Sequence, residues 1–263
     1  MMRITDTVKH LIIINVILWF ATLILQERGV DLYSLLALYF PENPNFKFWQ
    51  PVSSMFMHSM GSVTHLLFNM IGLWMFGSAL EMRWGKMKFI SFYMITGVGA
   101  GLVYTLVNYF EVYTAQSILL DSGLSIAEIN ELFQSSYENF YNQLNSGVIN
   151  GNRIIDPQSV YNNGISFYTP AVGASGALYG IMVAFGMMYP NTPLMLIFLP
   201  IPIKAKYFIP GLLLLDFIGG ITGGISIFGA GQIAHFAHLG GALFGFLLML
   251  YFKKTQFNKN RWN

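Results

Sequence analysis

The chain has 263 residues, of which 54% are hydrophobic and only 10% are charged. Soluble domains carry about 25% charged residues, so this composition excludes an ordinary water-soluble fold and makes the lipid bilayer the expected surroundings. The absence of cysteine excludes disulfides, thiolate metal sites and a cysteine nucleophile. The formal net charge is +2, and the sequence has no basic stripe of the kind that binds nucleic acid.

Six apolar segments are long enough to cross a hydrocarbon core of about 30 Å as helices. They are residues 10–26, 65–81, 87–109, 172–189, 205–222 and 233–252. No small-residue cleavage site follows the first segment, so we interpret it as a retained anchor. The short stretch Pro193 to Ile203 is interrupted by prolines, and we expect it at the interface or folded back as a loop. The sequence therefore predicts an all-α membrane protein with six transmembrane helices.

The basic residues are unevenly distributed among the connecting segments. If both termini are cytoplasmic, eleven of the fourteen lysines and arginines lie on the inner side and nine acidic residues lie on the outer side. The positive-inside rule gives this bias. With the chain length and the short tails, it favours a multi-pass protein of a bacterial inner membrane.

Two outer segments are distinct from the spans. Residues 27–64 are too apolar for a water-exposed loop, so we expect a partly embedded structure. In residues 110–166, apolar side chains recur every three or four positions from Ile126 to Leu144, which indicates an amphipathic helix, and Ser125 with Glu128 resembles a capping box. This helix either packs on the membrane face or contacts a substrate or partner. We predict one membrane domain from residues 1–109 and 167–263, an insertion at 110–166, and a cytoplasmic tail at 253–263.

Polar side chains occur within three of the predicted spans. The second span begins with His65 and Asn69, the fourth contains Ser175, and the sixth contains His235 and His238. Polar groups are costly in lipid, so each of them invites a functional interpretation. Under the predicted orientation, Ser175, His238 and the pair on the second span all lie near the outer surface and can meet in one shallow layer.

Glycines accompany the polar residues on spans four and six. Gly176 and Gly180 are four residues apart, and Gly241 and Gly245 lie on the same helical face as His238. Small residues let two membrane helices approach closely. The glycines would therefore bring the serine hydroxyl within reach of the imidazole, as an activated nucleophile requires.

These motifs resemble those of the rhomboid family of intramembrane serine proteases. The matching elements are GASG with a tyrosine four residues after its serine, AHLGG followed by a further glycine, and HxxxN on an earlier span. Their order and the six spans also match, so the resemblance covers about residues 10–109 and 167–252. It implies a rhomboid-like fold and peptide-bond hydrolysis by a serine–histidine dyad, without an acidic third member and without a cofactor or metal.

The resemblance implies a role for each matching residue. Ser175 would attack the scissile carbonyl, and His238 would act as the base and later as the acid. His65, Asn69 and the backbone N–H of Ser175 would form the oxyanion hole. Gly173 would shape the turn before the serine, in a supporting role.

Further matches would support the site or the fold. Tyr179 would pack on the ring of His238, and Gly241 would lie on the packed face. Glu81 and Gly85 match an ExxxG pattern that we interpret as a hydrogen-bond and turn element. Many family members have Trp-Arg in the first outer loop, whereas this chain has Trp49-Gln50. That difference leaves open how the loop is hydrogen-bonded.

Several alternatives remain open at this point. His235, one turn from His238, could be the base, although the position of Gly241 favours His238. His10 and His58 suit interfacial positions, and Asp216 in the fifth span suits a structural hydrogen bond. A metal site formed by His65 and the two histidines of span six lacks an HExxH motif. A transporter would need an internal repeat, which is not evident.

The implied substrates are membrane proteins whose transmembrane helices are unstable near the outer face. Access would involve span five and the glycine-rich stretch from Gly219 to Gln232, acting as a cap. The alternative function with the same fold is that of a catalytically silent, rhomboid-like factor that binds membrane proteins. Such a factor would normally have lost the serine or the histidine, and both are present here.

Overall fold

The computed structural model of the protein describes residues 3–61, 63–196, 199–222 and 232–259. Within these residues most of the chain is helical. The helices are α1 Asp6–Gln26, α2 Leu32–Leu36, α3 Gln50–Ser53, α4 Val63–Gly72, α5 Ser78–Trp84, α6 Lys86–Asp121, α7 Ile126–Gln134, α8 Tyr137–Ser146, α9 Pro157–Gly164, α10 Ser175–Met188, α11 Ala205–Thr222 and α12 Gln232–Lys259. The strands are β1 Val148–Ile149, β2 Asn152–Arg153, β3 Pro193–Leu196 and β4 Leu199–Lys204.

The helices confirm the all-α membrane fold. In the described part of the chain, five helices are long and apolar enough to cross a bilayer: Asp6–Gln26, Val63–Trp84, Lys86–Asp121, Ala205–Thr222 and His235–Lys254. The second of these joins α4 to α5 through a π turn at Leu73–Gly77. The predicted fourth span is the shorter apolar helix α10, with 14 residues. The protein is therefore an integral, multi-pass membrane protein.

The first helix is anchored to the end of the second span by Glu81. Its carboxylate accepts hydrogen bonds from the Thr5 hydroxyl and from the backbone N–H groups of Thr7, at 3.1 Å, and Val8, at 3.0 Å. A carboxylate at a helix N-terminus satisfies N–H groups that have no partner within the helix. Gly85 follows with a φ of +79°, a backbone conformation that favours glycine. The pair thus supplies a cap and a turn.

The third span is longer than its hydrophobic stretch predicts. Helix α6 continues past residue 109 to Asp121, so its last three turns belong to the segment that we expected to be a separate insertion. The predicted amphipathic helix is two helices, α7 and α8. The break occurs because Ser136 caps a new helix by accepting a hydrogen bond from the N–H of Asn139. The capping box of Ser125 and Glu128 is present.

The insertion has a core of its own, which includes the first outer loop. Phe40 from that loop is buried among Val112, Phe133, Phe140 and other apolar side chains of residues 110–167. Asn43 in the same loop donates a hydrogen bond of 2.8 Å to the carbonyl of Phe167. These contacts fix the loop and the insertion together.

Gln50 organises the first outer loop internally. Its side chain is fully buried, and its amide donates hydrogen bonds to the carbonyls of Asn45, at 2.8 Å, and Ser34, at 3.2 Å. Its Oε1 accepts a hydrogen bond from the N–H of Tyr39 at 3.3 Å. A neutral amide therefore ties the loop together.

Two antiparallel strands lie between α10 and α11. Strands β3 and β4 pair antiparallel, with Pro193 opposite Lys204 and Leu194 opposite Ile203. This agrees with the expectation that the proline-rich stretch folds back. Most of the glycine-rich stretch predicted to act as a cap, residues 223–231, lies outside the described residues.

Candidate active site

Ser175 and His238 lie within hydrogen-bonding distance. Ser175 is the first residue of α10, and its Oγ lies 2.9 Å from Nε2 of His238 on α12. His238 is 2% exposed, so its ring is shielded from lipid and bulk solvent alike. A hydroxyl against an imidazole nitrogen at this distance is the geometry of a base-activated nucleophile.

Glycines bring the two helices into backbone contact. A Cβ added to Gly241 would lie 1.8 Å from the carbonyl oxygen of Gly176, and one added to Gly245 would lie 2.6 Å from the Cα of Gly180. No larger residue fits at these positions without separating α10 from α12. Gly176 directly follows Ser175, and Gly241 lies one turn after His238. The contact between these glycines therefore sets the distance between serine and histidine.

Tyr179 holds the imidazole from one side. Its ring stacks on that of His238 with centroids 4.3 Å apart and an interplanar angle of 10°. Because Tyr179 lies one turn after Ser175, the same helix carries the hydroxyl and the surface on which the histidine rests. The stacking restricts rotation of the imidazole.

Gly173 allows His65 to approach the serine. Its φ is +128°, and an added Cβ would lie 3.2 Å from Nε2 of His65 and 3.4 Å from Oγ of Ser175. The N–H of Ser59 donates to Nδ1 of His65 at 3.4 Å. Since Nδ1 accepts that hydrogen bond, the proton of a neutral ring is on Nε2, the nitrogen that faces Gly173.

Asn69 is buried one turn after His65. Its Nδ2 donates a hydrogen bond of 2.8 Å to the carbonyl of His65, within its own helix. Oδ1 has no hydrogen-bond partner among the described residues. The cavity wall beside Ser175 includes His65 and, among the described residues, not Asn69, and the role of Asn69 as an oxyanion donor stays a prediction.

A cavity of about 450 Å³ lies beside Ser175. Such a volume is in the range of small-ligand pockets, about 300–1,000 Å³. Its wall includes Ser175, His65 and His238 and extends to Glu111 and Asn162 of the insertion segment. The Ser166 hydroxyl donates a hydrogen bond to the carboxylate of Glu111. The cavity therefore joins the serine to the insertion.

The segment that precedes the serine pairs with the first outer loop. The N–H of Leu38 donates to the carbonyl of Ala171, and the N–H of Ala171 donates to the carbonyl of Leu38, both at 2.9 Å. The N–H of Gly173 donates to the carbonyl of Ser54 at 3.0 Å. These bonds fix the strand-like approach to α10, and with it the position of Ser175.

Asp216 lies on the far side of His238 from the serine. Its Oδ1 is 2.5 Å from Nδ1 of His235 and 3.4 Å from Nδ1 of His238. Nothing in the sequence pattern distinguishes this residue from one that makes an ordinary structural hydrogen bond. The one available signal is an acidic residue inside an apolar span.

The sequence position of His58 suggested an exposed place at the membrane interface, but the structure buries this residue. It is 1% exposed, and its ring centroid lies 5.2 Å from that of His65. The loop that carries it folds down beside α4, so a residue expected at the membrane surface is packed behind a site residue. His10 is exposed near the start of α1.

The comparisons with known proteins agree with this architecture. A family model for the rhomboid domain matches residues 45–127 and 145–255, which include every predicted site residue. Over 258 residues the chain is 24% identical to the rhomboid protease AarA of Providencia stuartii, with 91% of this chain and 70% of that protein covered. The family match extends over most of the sequence, and the chain belongs to the rhomboid family.

Proposed function

We propose that the protein is an intramembrane serine endopeptidase that cleaves transmembrane segments of other membrane proteins. The observation that supports this most strongly is the 2.9 Å contact between Ser175 Oγ and His238 Nε2 beside a cavity between membrane helices. The similarity to a protein named as a rhomboid protease points to the same activity.

The first chemical step is acyl transfer to the serine. His238 takes the proton of the Ser175 hydroxyl on Nε2 as the oxygen attacks the scissile carbonyl, and a tetrahedral oxyanion forms. His238 then gives that proton to the leaving amine, which departs and leaves an acyl-enzyme. Water attacks the ester with His238 again as the base, releasing the second product and restoring the serine.

Hydrogen-bond donors near the serine would stabilise the oxyanion. Nε2–H of His65 and the backbone N–H of Ser175 at the start of α10 would donate to it. Asn69 would add a third donor through the N–H that remains beyond its bond to the His65 carbonyl. Donors of this kind contribute roughly 3 kcal/mol each to the transition state.

The substrate must present an extended backbone to the serine. A transmembrane helix has its carbonyls engaged in hydrogen bonds, so a segment that unwinds readily near the outer face is the preferred substrate. We place both termini in the cytoplasm of a bacterial cell, with the catalytic residues near the outer face of the inner membrane, on the basis of the charge distribution.

The test is cleavage of membrane proteins in cells. Ectodomains released from membranes that contain the wild-type protein are identified by mass spectrometry and compared with those released by the Ser175→Ala variant. The proposal requires products that depend on Ser175 and end within or beside a transmembrane segment. Equal release by both proteins would refute it, and capture of uncut membrane proteins by both would favour a silent binding factor instead.

A further inference from the structure

We infer that Asp216 positions His238 for catalysis, so that the serine–histidine pair operates with an acidic third member contributed by α11. The inference rests on the proposed function, because it assigns a role in the same reaction. It departs from the dyad that the family resemblance implies.

The geometry places the three groups in sequence. Nε2 of His238 faces Ser175 at 2.9 Å, while Nδ1 of the same ring faces Oδ1 of Asp216 at 3.4 Å. A carboxylate at Nδ1 holds the proton there and leaves Nε2 free to accept the proton of the serine. Of the two neutral forms of the ring, this is the one that a general base requires.

The carboxylate of Asp216 is buried in a membrane helix, so its charge requires partners. Asp216 is 6% exposed on a membrane helix, where an isolated charge is strongly unfavourable. The ion-pair partners of Asp216 in the described part of the chain are His235 and His238. When His238 takes the proton of Ser175 it becomes an imidazolium, and the adjacent carboxylate stabilises that charge. The proton stays on His238 throughout, and none is transferred to Asp216.

His235 contacts the same carboxylate. Its Nδ1 lies 2.5 Å from the same oxygen, Oδ1, that faces His238. The two histidines are three residues apart on α12, so they lie on the same face of that helix. Gly219 on α11 makes room for the His235 ring, because an added Cβ would lie 2.8 Å from its Nε2. The pair therefore fixes α11 against α12 at the level of the active site.

A purely structural role is the rival explanation. Because the bond to His235 is shorter than the bond to His238, Asp216 could simply tie α11 to α12. The two roles predict different results for the two partners of Asp216. If Asp216 only holds α11 to α12, removal of His235 should be as harmful as removal of Asp216. If Asp216 positions His238, it remains effective when His235 is removed.

The first readout is the rate at which a fluorophosphonate acylates Ser175 in the full-length protein in detergent. Replacement of the orienting carboxylate by an amide can slow a serine–histidine pair by up to about 10⁴-fold. For the longer contact here we expect Asp216→Asn to slow labelling by about 100-fold. In a peptidase assay we expect kcat to fall while KM changes little. Asp216→Glu, which keeps the charge, should restore part of the rate.

Two further variants separate positioning from packing. We expect His235→Asn to retain labelling within about tenfold of wild type, because Asp216 still faces His238. Thr222→Ala is the matched control on α11, since in the part of the chain that the structure describes the Thr222 side chain bonds to the carbonyl of Ile218 in its own helix. A folded His235→Asn protein that labels as slowly as Asp216→Asn would overturn the inference.

A second readout does not depend on activity. The ¹⁵N chemical shifts of His238 report which ring nitrogen carries the proton. Titratable groups near this ring are Asp216 on α11, Tyr179 on α10, His65 on α4 and His235 on its own helix. We expect Nδ1–H in the wild-type protein and a mixture of forms in Asp216→Asn. An unchanged proton position together with a wild-type labelling rate in Asp216→Asn would refute the role of Asp216. Failure of the proposed protease function would instead leave wild-type Ser175 unlabelled while the chemical shifts still report on Asp216.

Discussion

The backbone of Gly241 packs against the carbonyl oxygen of Gly176 so closely that a Cβ at position 241 would lie 1.8 Å from it. An ordinary contact requires more than 3 Å, so a side chain here forces α10 and α12 apart by more than 1 Å. The residues that depend on this spacing, Ser175 and His238, lie on the same two helices within a turn of the contact. The distance between hydroxyl and imidazole is thus set by a glycine contact.

Gly241→Ala should therefore reduce activity strongly. A displacement of about 1 Å at a catalytic pair can slow a reaction about 100-fold, and we expect a loss of at least that size in peptidase assays. Gly211→Ala on α11 is the matched control, because an added Cβ there would meet nothing within 4 Å. Equal activities for the two variants would show that the glycine contact does not set the catalytic distance.

Tyr179 should act through its ring rather than its hydroxyl. The stacking on His238 is retained in Tyr179→Phe and lost in Tyr179→Ala. A stacked aromatic pair contributes about 0.5–1.5 kcal/mol, so we expect Tyr179→Ala to slow fluorophosphonate labelling by up to about tenfold. Tyr179→Phe should stay close to wild type. A loss that is equal in both variants would assign the effect to the phenol group instead.

Asn69→Ala should slow peptide cleavage without abolishing it. The loss of one oxyanion donor reduces kcat by about 10²–10³-fold. Asn15→Ala is the matched control, because Asn15 is also buried and its Nδ2 also donates to a carbonyl four residues earlier, at 2.7 Å, on α1. Wild-type turnover in Asn69→Ala would remove this residue from the oxyanion hole and leave His65 and the Ser175 N–H.

Glu81→Ala should destabilise the protein but leave the chemistry intact. Loss of a helix cap costs about 0.5–2 kcal/mol, and Glu81 accepts three hydrogen bonds at the start of α1. We expect a lower thermal unfolding midpoint in detergent, with labelling of the folded fraction within about threefold of wild type. An unchanged midpoint with lost labelling would mean that Glu81 serves the active site.

The spans and the helix contact could be predicted from the sequence because they follow from local patterns. Apolar length indicates a membrane helix, and glycines at spacings of four indicate a face that packs closely. The same reasoning predicted that the helices carrying Ser175 and His238 meet. The Ser125–Glu128 capping box was also predictable, since it lies within four residues of sequence.

Other features depend on contacts between distant segments. Helix α6 continues to Asp121 because its last turns pack into the core of the insertion, around Val112, Ala115 and Leu119, rather than into lipid. Hydrophobic length alone could not predict that end. His58 is buried because its loop folds beside α4. The relation of Asp216 to His238 depends on how α11 rotates against α12, which the period of an apolar helix does not specify.

In the proposed mechanism, His238 activates Ser175. The most direct measurement is fluorophosphonate labelling of the purified, full-length protein, with the modified residue identified by mass spectrometry. We predict a single adduct on Ser175 in the wild-type protein, no adduct in Ser175→Ala, and labelling reduced at least 10³-fold in His238→Ala. Labelling of His238→Ala at the wild-type rate, or an adduct on another residue in Ser175→Ala, would refute these roles of Ser175 and His238.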